Sequence, residues 1–272
     1  MCLAVWSIGE HPRFPWVLAS NRDEFFDRPA RPLAWWTPEG GGAPVLGGRD
    51  DSAGGTWLGL RADGRMALLT NVREPGRFRD GLPSRGELVV QALQREAADD
   101  GWLAATAAAP RNGWNLIVAE LRGDAFAWAT NRPPRHRRSG GRGRWGLSND
   151  ALDTPWPKLR RMKVALGEAL AAADGDVDAL LAGAFAALSD DRPAPDAELP
   201  HTGVPLGRER QLSPPFIRIP GEAGRAAYGT RCSTIVAVEA TPAGRRVHVV
   251  ERRFDADAAV SGETRLAFDL TP

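Results

Sequence analysis

The sequence predicts an α+β fold built from antiparallel sheets, and three observations support this prediction. Short apolar runs separated by turn residues occur near both ends of the chain. Helical segments come in pairs between these strand groups instead of after every strand, so the alternation typical of parallel sheets is missing. The chain has 272 residues, 43% of them hydrophobic, which is enough for one domain spanning residues 1–272.

In the N-terminal part, apolar residues at 3–8 and 16–20 predict two strands joined by a turn, so that Cys2 begins a strand. Residues 26–52 are rich in Pro and Gly, and residues 56–71 predict a hairpin around a turn at 62–64. Ser84 is predicted to cap a helix over residues 86–98, with Glu87 completing a capping box. A second, Ala-rich helix is predicted to end at residue 109.

The second half repeats this order. Residues 114–120 and 125–130 predict a strand pair, and residues 145–148 predict a further strand. Helices are expected at 155–173, where Pro155 suits a first turn, and at 177–188. A long loop over 189–215 precedes three antiparallel strands within residues 232–270.

Composition excludes several classes of function. The formal charge is +1, so no net field attracts nucleic acid or an anionic membrane, and the basic stretch 132–144 is expected to be a solvated loop. Two cysteines are too few for a disulfide framework, and no residue spacing predicts a metal site. The beginning of the chain has no long apolar run, so we expect a cytoplasmic protein without membrane insertion.

Cys2 follows the initiator methionine, and its small side chain favours removal of Met1. The mature residue then carries a thiol and a free α-amino group. Because the pKa values of these groups lie within about one unit of each other, the amine can act as the base for the thiol. Cys2 is therefore the candidate nucleophile, although a cysteine at position two is more often incidental.

A polar cluster follows the second predicted strand, where Asn21, Arg22, Asp23 and Glu24 stand in succession. Such a cluster can simply form a solvated turn. However, an arginine beside a thiolate lowers the thiol pKa, and a carboxylate beside an α-amino group orients that group. A strand pair carrying both Cys2 and this cluster is therefore chemically coherent.

Nine ordered motifs spread over nearly the whole chain resemble the NRDE family, the family of the transport and Golgi organisation protein 2 homologues. They are Met1-Cys2-Leu3, the 21–24 cluster with Arg28-Pro29, GGRD at 47–50, GGTWLG at 54–59, LTNVR at 69–73, SRG at 84–86, GLSND at 146–150, PWPK at 155–158 and YGTR at 228–231.

This resemblance implies a fold similar to that of the N-terminal nucleophile (Ntn) hydrolases, a four-layer αββα sandwich of two stacked antiparallel sheets flanked by helices. A more distant similarity to the cysteine members of those hydrolases implies the catalytic roles. The implied residues are Cys2 as nucleophile, Arg22 and Asp23 beside it, Asn71 and Asn149 as oxyanion or substrate donors, and Arg231 near the thiol.

One departure from the distant hydrolases affects the acidic residue. Arg22 and Asp23 are adjacent, so they should point to opposite sides of a regular strand, and either Asp23 or Glu24 faces the site. Asn21 and Glu24 are expected to contact substrate. Trp35 and Trp36, in the Pro-rich segment, are candidates for lining an apolar ligand pocket, although surface packing is an equal alternative.

Two functions follow. The first is an N-terminal cysteine hydrolase that cleaves a non-peptide carbon–nitrogen amide bond, or a related acyl bond, in a small molecule, with no cofactor required. The second, implied by the eukaryotic relatives, is a non-catalytic binding or trafficking protein for haem or for a lipid or acyl ligand.

Overall fold

The computed structural model describes residues 2–222 and 224–270, and the predicted loss of Met1 concerns a residue outside these ranges. Two antiparallel sheets of seven strands each form the centre of the described chain. The strands of the first sheet are β1 (Cys2–Ile8), β2 (Trp16–Phe25), β10 (Gly143–Leu147), β11 (Arg218–Ile219), β12 (Tyr228–Thr241), β13 (Gly244–Phe254) and β14 (Val260–Asp269). The strands of the second sheet are β3 (Ala30–Trp36), β4 (Val45–Asp50), β5 (Leu58–Leu60), β6 (Arg65–Asn71), β7 (Trp114–Glu120), β8 (Ala125–Asn131) and β9 (Pro134–Gly140).

The order of the strands separates the two sheets clearly. The first sheet has the order β10-β1-β2-β12-β13-β14, with β11 paired to β12, and the second runs from β3 to β9 in sequence order. The second sheet is therefore a meander, whereas the first combines segments from the beginning, the middle and the end of the chain. This arrangement places β2 between β1 and β12.

Within the described ranges, five α-helices accompany the sheets, namely α1 (Glu87–Gln94), α2 (Asp100–Ala108), α3 (Pro157–Ala172), α4 (Val177–Leu188) and α5 (Leu206–Gln211). Helices α3 and α4 pack on the first sheet, and α1 and α2 pack on the second. Three cores separate these four layers, so the predicted αββα sandwich is confirmed.

The alternation of side chains in β1 shows why the layers form. Leu3 and Val5 pack under α3 and α4, whereas Trp6 and Ile8 point into the core between the sheets. A strand buried on both faces is apolar at consecutive positions, which is the pattern that residues 3–6 present. Burial of each large apolar side chain contributes about 1.5 to 3 kcal/mol, so these positions hold the first strand firmly.

The structure corrects three expectations. The helix after Ser84 begins at Glu87 without a side-chain cap, because Glu87 pairs with Arg111, whose guanidinium also binds the Ser84 carbonyl. The Pro- and Gly-rich segment contains β3 and β4. The basic stretch forms β9, an exposed edge strand whose charged residues oppose further pairing.

No helix in the described ranges is long and apolar enough to cross a membrane. Within the same residues, no group of three or more His, Cys, Asp or Glu side chains is arranged to hold a metal ion.

Candidate active site at the start of the first strand

Cys2 is the first residue of β1 and lies opposite Arg22 of β2 in the antiparallel register. Cys2 is half-buried, and its backbone carbonyl accepts a hydrogen bond from Ser148 Oγ at 3.2 Å. The hairpin predicted from two apolar runs thus brings the thiol to the polar cluster that ends β2.

Cys2 lines a cavity of about 620 Å³ whose wall is built from strand ends and loops of both sheets. Phe25, Trp57 and Phe78 supply apolar surface. Charged residues are numerous in the wall, and they are Arg22, Asp23, Glu24, Arg28, Asp50, Arg85 and Arg208. The size suits a small organic ligand with both polar and apolar parts.

Arg22 is buried beside Cys2 and is held from two directions. Its Nη2 lies 3.6 Å from Asp50 Oδ2, and its guanidinium lies 4.2 Å from the centre of the Trp57 ring. Arg28 Nε donates to the same Asp50 oxygen at 2.9 Å. Asp50 and Trp57 therefore line the cavity and also position Arg22.

Asp23 and Glu24 both line the cavity, so the structure does not choose one of them as the acidic residue. Asp23 is 1% exposed, and its Oδ1 accepts a hydrogen bond from Thr230 Oγ1 at 2.8 Å. Burial raises the pKa of Asp23, and the charge of Lys158 opposes that rise. Glu24 is half-buried, and its Oε1 accepts a hydrogen bond from the backbone N–H of Phe25 at 2.9 Å, at the end of β2.

Lys158 is a buried cation near the site that the sequence did not identify. It is the second residue of α3, is 1% exposed, and its Nζ has no hydrogen-bond partner among residues 2–222 and 224–270. Burial lowers the pKa of Lys158 to about 8, while the charges of Asp23 and Cys2 act in the opposite direction. The PWPK motif was the only sequence signal at this position.

The two asparagines assigned as donors occupy different places. Asn71 ends β6 and lines the cavity. Asn149 is 1% exposed and lies behind Asn71, where its Nδ2 donates to the Asn71 carbonyl at 2.8 Å. This arrangement suits Asn71 as the ligand-contacting donor and Asn149 as the residue that positions it.

Arg231 and Asn21 do not line the cavity. Arg231 is the extra residue of a β-bulge in β12, and its Nη1 donates to the carbonyls of Phe25 and Arg28. Asn21 points to the helical side, where its Nδ2 donates to the carbonyls of Leu188 and Pro215 at 2.9 Å each. Strand alternation explains the second case, because Arg22 and its neighbour Asn21 face opposite sides.

Trp35 and Trp36 also lie outside the cavity wall. Trp35 is 40% exposed and packs edge-on against Phe268. Trp36 packs against the core between the second sheet and its helices, and its Nε1 donates to the Gly47 carbonyl at 3.1 Å. Pairing of β3 with β4 fixes both side chains, so proximity to Cys2 in sequence does not become proximity in space.

The protonation of Cys2 sets what the site can do. Burial raises the pKa of the Cys2 thiol above its ordinary value, Asp23 raises it further, and the Arg22 guanidinium lowers it. A thiol with a raised pKa is mostly protonated near neutral pH, so attack on a carbonyl carbon requires a base close to the sulfur.

A family model described as Transport and Golgi organisation 2 matches residues 1–256. The Transport and Golgi organization protein 2 homolog of Bos taurus is 35% identical over 254 residues, which cover 88% of this chain and 89% of the relative. The Homo sapiens homolog is 31% identical over 254 residues with the same coverage.

Two solved structures are similar over nearly the whole chain. One is a C2A mutant of conjugated bile acid hydrolase from Clostridium perfringens, with a TM-score of 0.46, 7% identity, and coverage of 98% of this chain and 92% of that chain. The other is a Caenorhabditis elegans ortholog of N-acylethanolamine-hydrolyzing acid amidase, with a TM-score of 0.48, 12% identity, and coverage of 97% and 100%.

Proposed function

The chain belongs to the Transport and Golgi organisation 2 family, and we propose that it is a hydrolase in which Cys2 attacks the acyl carbon of a small-molecule amide or related acyl compound. The observation that supports this proposal is the position of Cys2 in the wall of a cavity of about 620 Å³ that Arg22, Asp23 and Asn71 also line. A nucleophile, a cation, a carboxylate and an amide donor therefore surround one space.

The proposed reaction follows from these groups. Removal of Met1 frees the α-amino group of Cys2, which takes the thiol proton as the sulfur–carbon bond forms. The Asn71 amide donates to the developing oxyanion. Collapse of the tetrahedral intermediate breaks the carbon–nitrogen bond, and the ammonium returns its proton to the leaving amine. Water then hydrolyses the thioester and restores the thiol.

The test is to trap the thioester. Wild-type protein, whose loss of Met1 is first established by intact mass, is incubated with a panel of N-acyl amides and acyl thioesters. We expect an acyl adduct that hydroxylamine removes, that maps to Cys2, and that is absent from Cys2→Ala. Cys232 serves as the internal control because it is 4% exposed. Mature protein that forms no adduct and releases no product with any member of the panel would refute the proposal.

Binding without turnover is the second candidate, and the raised pKa of Cys2 favours it, because a protonated thiol is a poor nucleophile. Haem or a lipid or acyl ligand would then occupy the cavity. Titration with haemin tests the haem version, for which we expect a Soret shift that is altered in Cys2→Ala. The absence of any Soret shift with wild-type protein would refute the haem version of this hypothesis.

A further inference from the structure

Two of the arginines in the cavity wall differ from the others in their partners. Arg22 and Arg28 both contact Asp50. Arg85 and Arg208 line the same cavity, yet neither has a carboxylate within ion-pair distance among the described residues. Glu24 lines the same cavity and acts on Arg85 through its charge, but it makes no direct ion pair with it. Among the described residues, Arg85 and Arg208 are therefore two guanidinium groups of this wall that are not held in a direct ion pair.

The contacts that Arg85 and Arg208 do make leave most of their hydrogen-bond donors available. Arg85 Nη1 donates to the Gly113 carbonyl at 3.3 Å. Arg208 Nη1 donates to Gln211 Oε1 at 3.2 Å, and its guanidinium lies 5.6 Å from the centre of the Tyr228 ring. A guanidinium carries five N–H groups, so a planar or tetrahedral oxyanion can be bound by the donors that remain.

Both side chains are half-buried, and this makes an anionic ligand favourable. Burial lowers the pKa of Arg85 and of Arg208, which shows that the protein around them disfavours the cation. A guanidinium nevertheless stays charged in proteins. The charge of Glu24 offsets part of the cost at Arg85, and a bound anion offsets more of it. The effect is stronger than at a fully solvated arginine, because less water screens the pair.

The two arginines come from distant parts of the chain that meet at the cavity. Arg85 lies in the loop before α1, and Arg208 lies in α5. Phe25, Phe78 and Leu82 line the same cavity, and Phe78 is 66% exposed. A ligand that is complementary to these residues has an anionic group together with apolar surface.

We propose that Arg85 and Arg208 form an anion-binding subsite that selects acyl compounds carrying a carboxylate, sulfonate or phosphate group. As a substrate preference this rests on the proposed function, because it concerns the acyl compound that Cys2 attacks. The subsite itself is testable without turnover.

The first test compares iodoacetate with iodoacetamide as alkylating agents for Cys2. In both reactions the thiolate displaces iodide, a sulfur–carbon bond forms, and the thiol proton passes to the solvent. The reagents differ by one negative charge, so the ratio of their rate constants measures local attraction of an anion. We expect Arg85→Met and Arg208→Met each to lower this ratio by about three- to tenfold, with the iodoacetamide rate changed less than about twofold.

Arg77→Met is the matched control, because Arg77 lies on the same loop as Arg85, is exposed, and is outside the wall of this cavity. It removes the same charge and should leave the ratio unchanged. Unchanged ratios in both Arg85→Met and Arg208→Met, or an equal fall in Arg77→Met, would overturn the subsite.

The second test uses Cys2→Ala and calorimetric titration with octanoate, octyl sulfate, octyl phosphate and neutral octanol. We expect the three anions to bind about tenfold or more tightly than octanol, with their order identifying the preferred acid group, and this preference to disappear in the Arg85→Met and Arg208→Met backgrounds. Equal binding of octanol would refute the subsite. Because this variant has no thiol at position 2, the outcome is separate from that of the proposed hydrolysis.

Discussion

Replacing Lys158 by Met removes a buried ammonium group from the vicinity of Asp23 and Cys2, and the consequence for stability depends on pH. Burial lowers the pKa of Lys158 from 10.5 to about 8. In the folded protein the lysine therefore loses its proton well before it does so in the unfolded chain. Between about pH 8 and pH 10.5 the unfolded state binds more protons, so the Lys158 contribution to the unfolding free energy rises with pH across this window.

The size of the effect follows from the shift. One pKa unit corresponds to about 1.4 kcal/mol, so a depression of two to three units predicts a change of about 3 to 4 kcal/mol. The difference in unfolding free energy between wild type and Lys158→Met should move in favour of wild type by that amount from pH 7 to pH 10.5. Urea unfolding at a series of pH values measures it.

The chain contains only two lysines, Lys158 and Lys163, which provides a matched control and a direct observation. Lys163 lies on the same helix, is half-buried, and its Nζ contacts Asp153 at 3.0 Å, so Lys163→Met is the control that removes the other lysine from this helix. With 13C at the ε carbon of lysine, the spectrum of the wild type should contain one signal that titrates near pH 8. A spectrum in which no lysine signal titrates near pH 8 would refute the reasoning.

Three further predictions concern the surroundings of the site. Asn21→Ala leaves three buried polar groups without their partner and should lower the unfolding free energy by about 2 to 4 kcal/mol. The rate of Cys2 alkylation by iodoacetamide should stay within about twofold of wild type. A stable variant with slow alkylation would instead place Asn21 at the ligand. Thr230→Val removes a hydrogen bond to the Asp23 carboxylate. The loss of unfolding free energy relative to wild type, measured by urea unfolding, should therefore be larger by about 1 to 2 kcal/mol at pH 8 than at pH 4. A loss that does not depend on pH would contradict this prediction. Gly55→Ala puts a methyl group 2.7 Å from the backbone oxygen of Gly86, just before α1. This contact should reduce the unfolding free energy by about 1 to 3 kcal/mol and lower the melting temperature. An unchanged melting temperature would mean that the backbone of this loop shifts at little cost.

The neighbourhood of Cys2 and Arg22 was predictable because it depends on local pairing. Two apolar runs joined by a short turn favour one register, and that register places Cys2 opposite Arg22. The same alternation explains why Asn21 turns away, although the polar cluster alone did not reveal it.

The placement of Arg231 shows where local reasoning ends. A bulge between Thr230 and Cys232 shifts the register of β12 against β2, and Arg231 binds carbonyls of the turn after β2 instead of lining the cavity. A bulge adds one residue without a clear signal in a single sequence, so the direction of a side chain beyond it cannot be obtained from alternation.

The sequence by itself determined the α+β class, the hairpins, the long helices and the candidate nucleophile, because the periodicity of apolar residues and the position of Cys2 are local properties. Only the tertiary structure showed that Lys158 is buried near Asp23, that Arg85 and Arg208 meet at one cavity, and that Trp35 lies elsewhere. These facts depend on how two sheets and their loops pack across long separations in the chain, and side chains so far apart in sequence meet only when the layers close over a common core. The environment that packing creates around Cys2 sets the charges and the space available for chemistry.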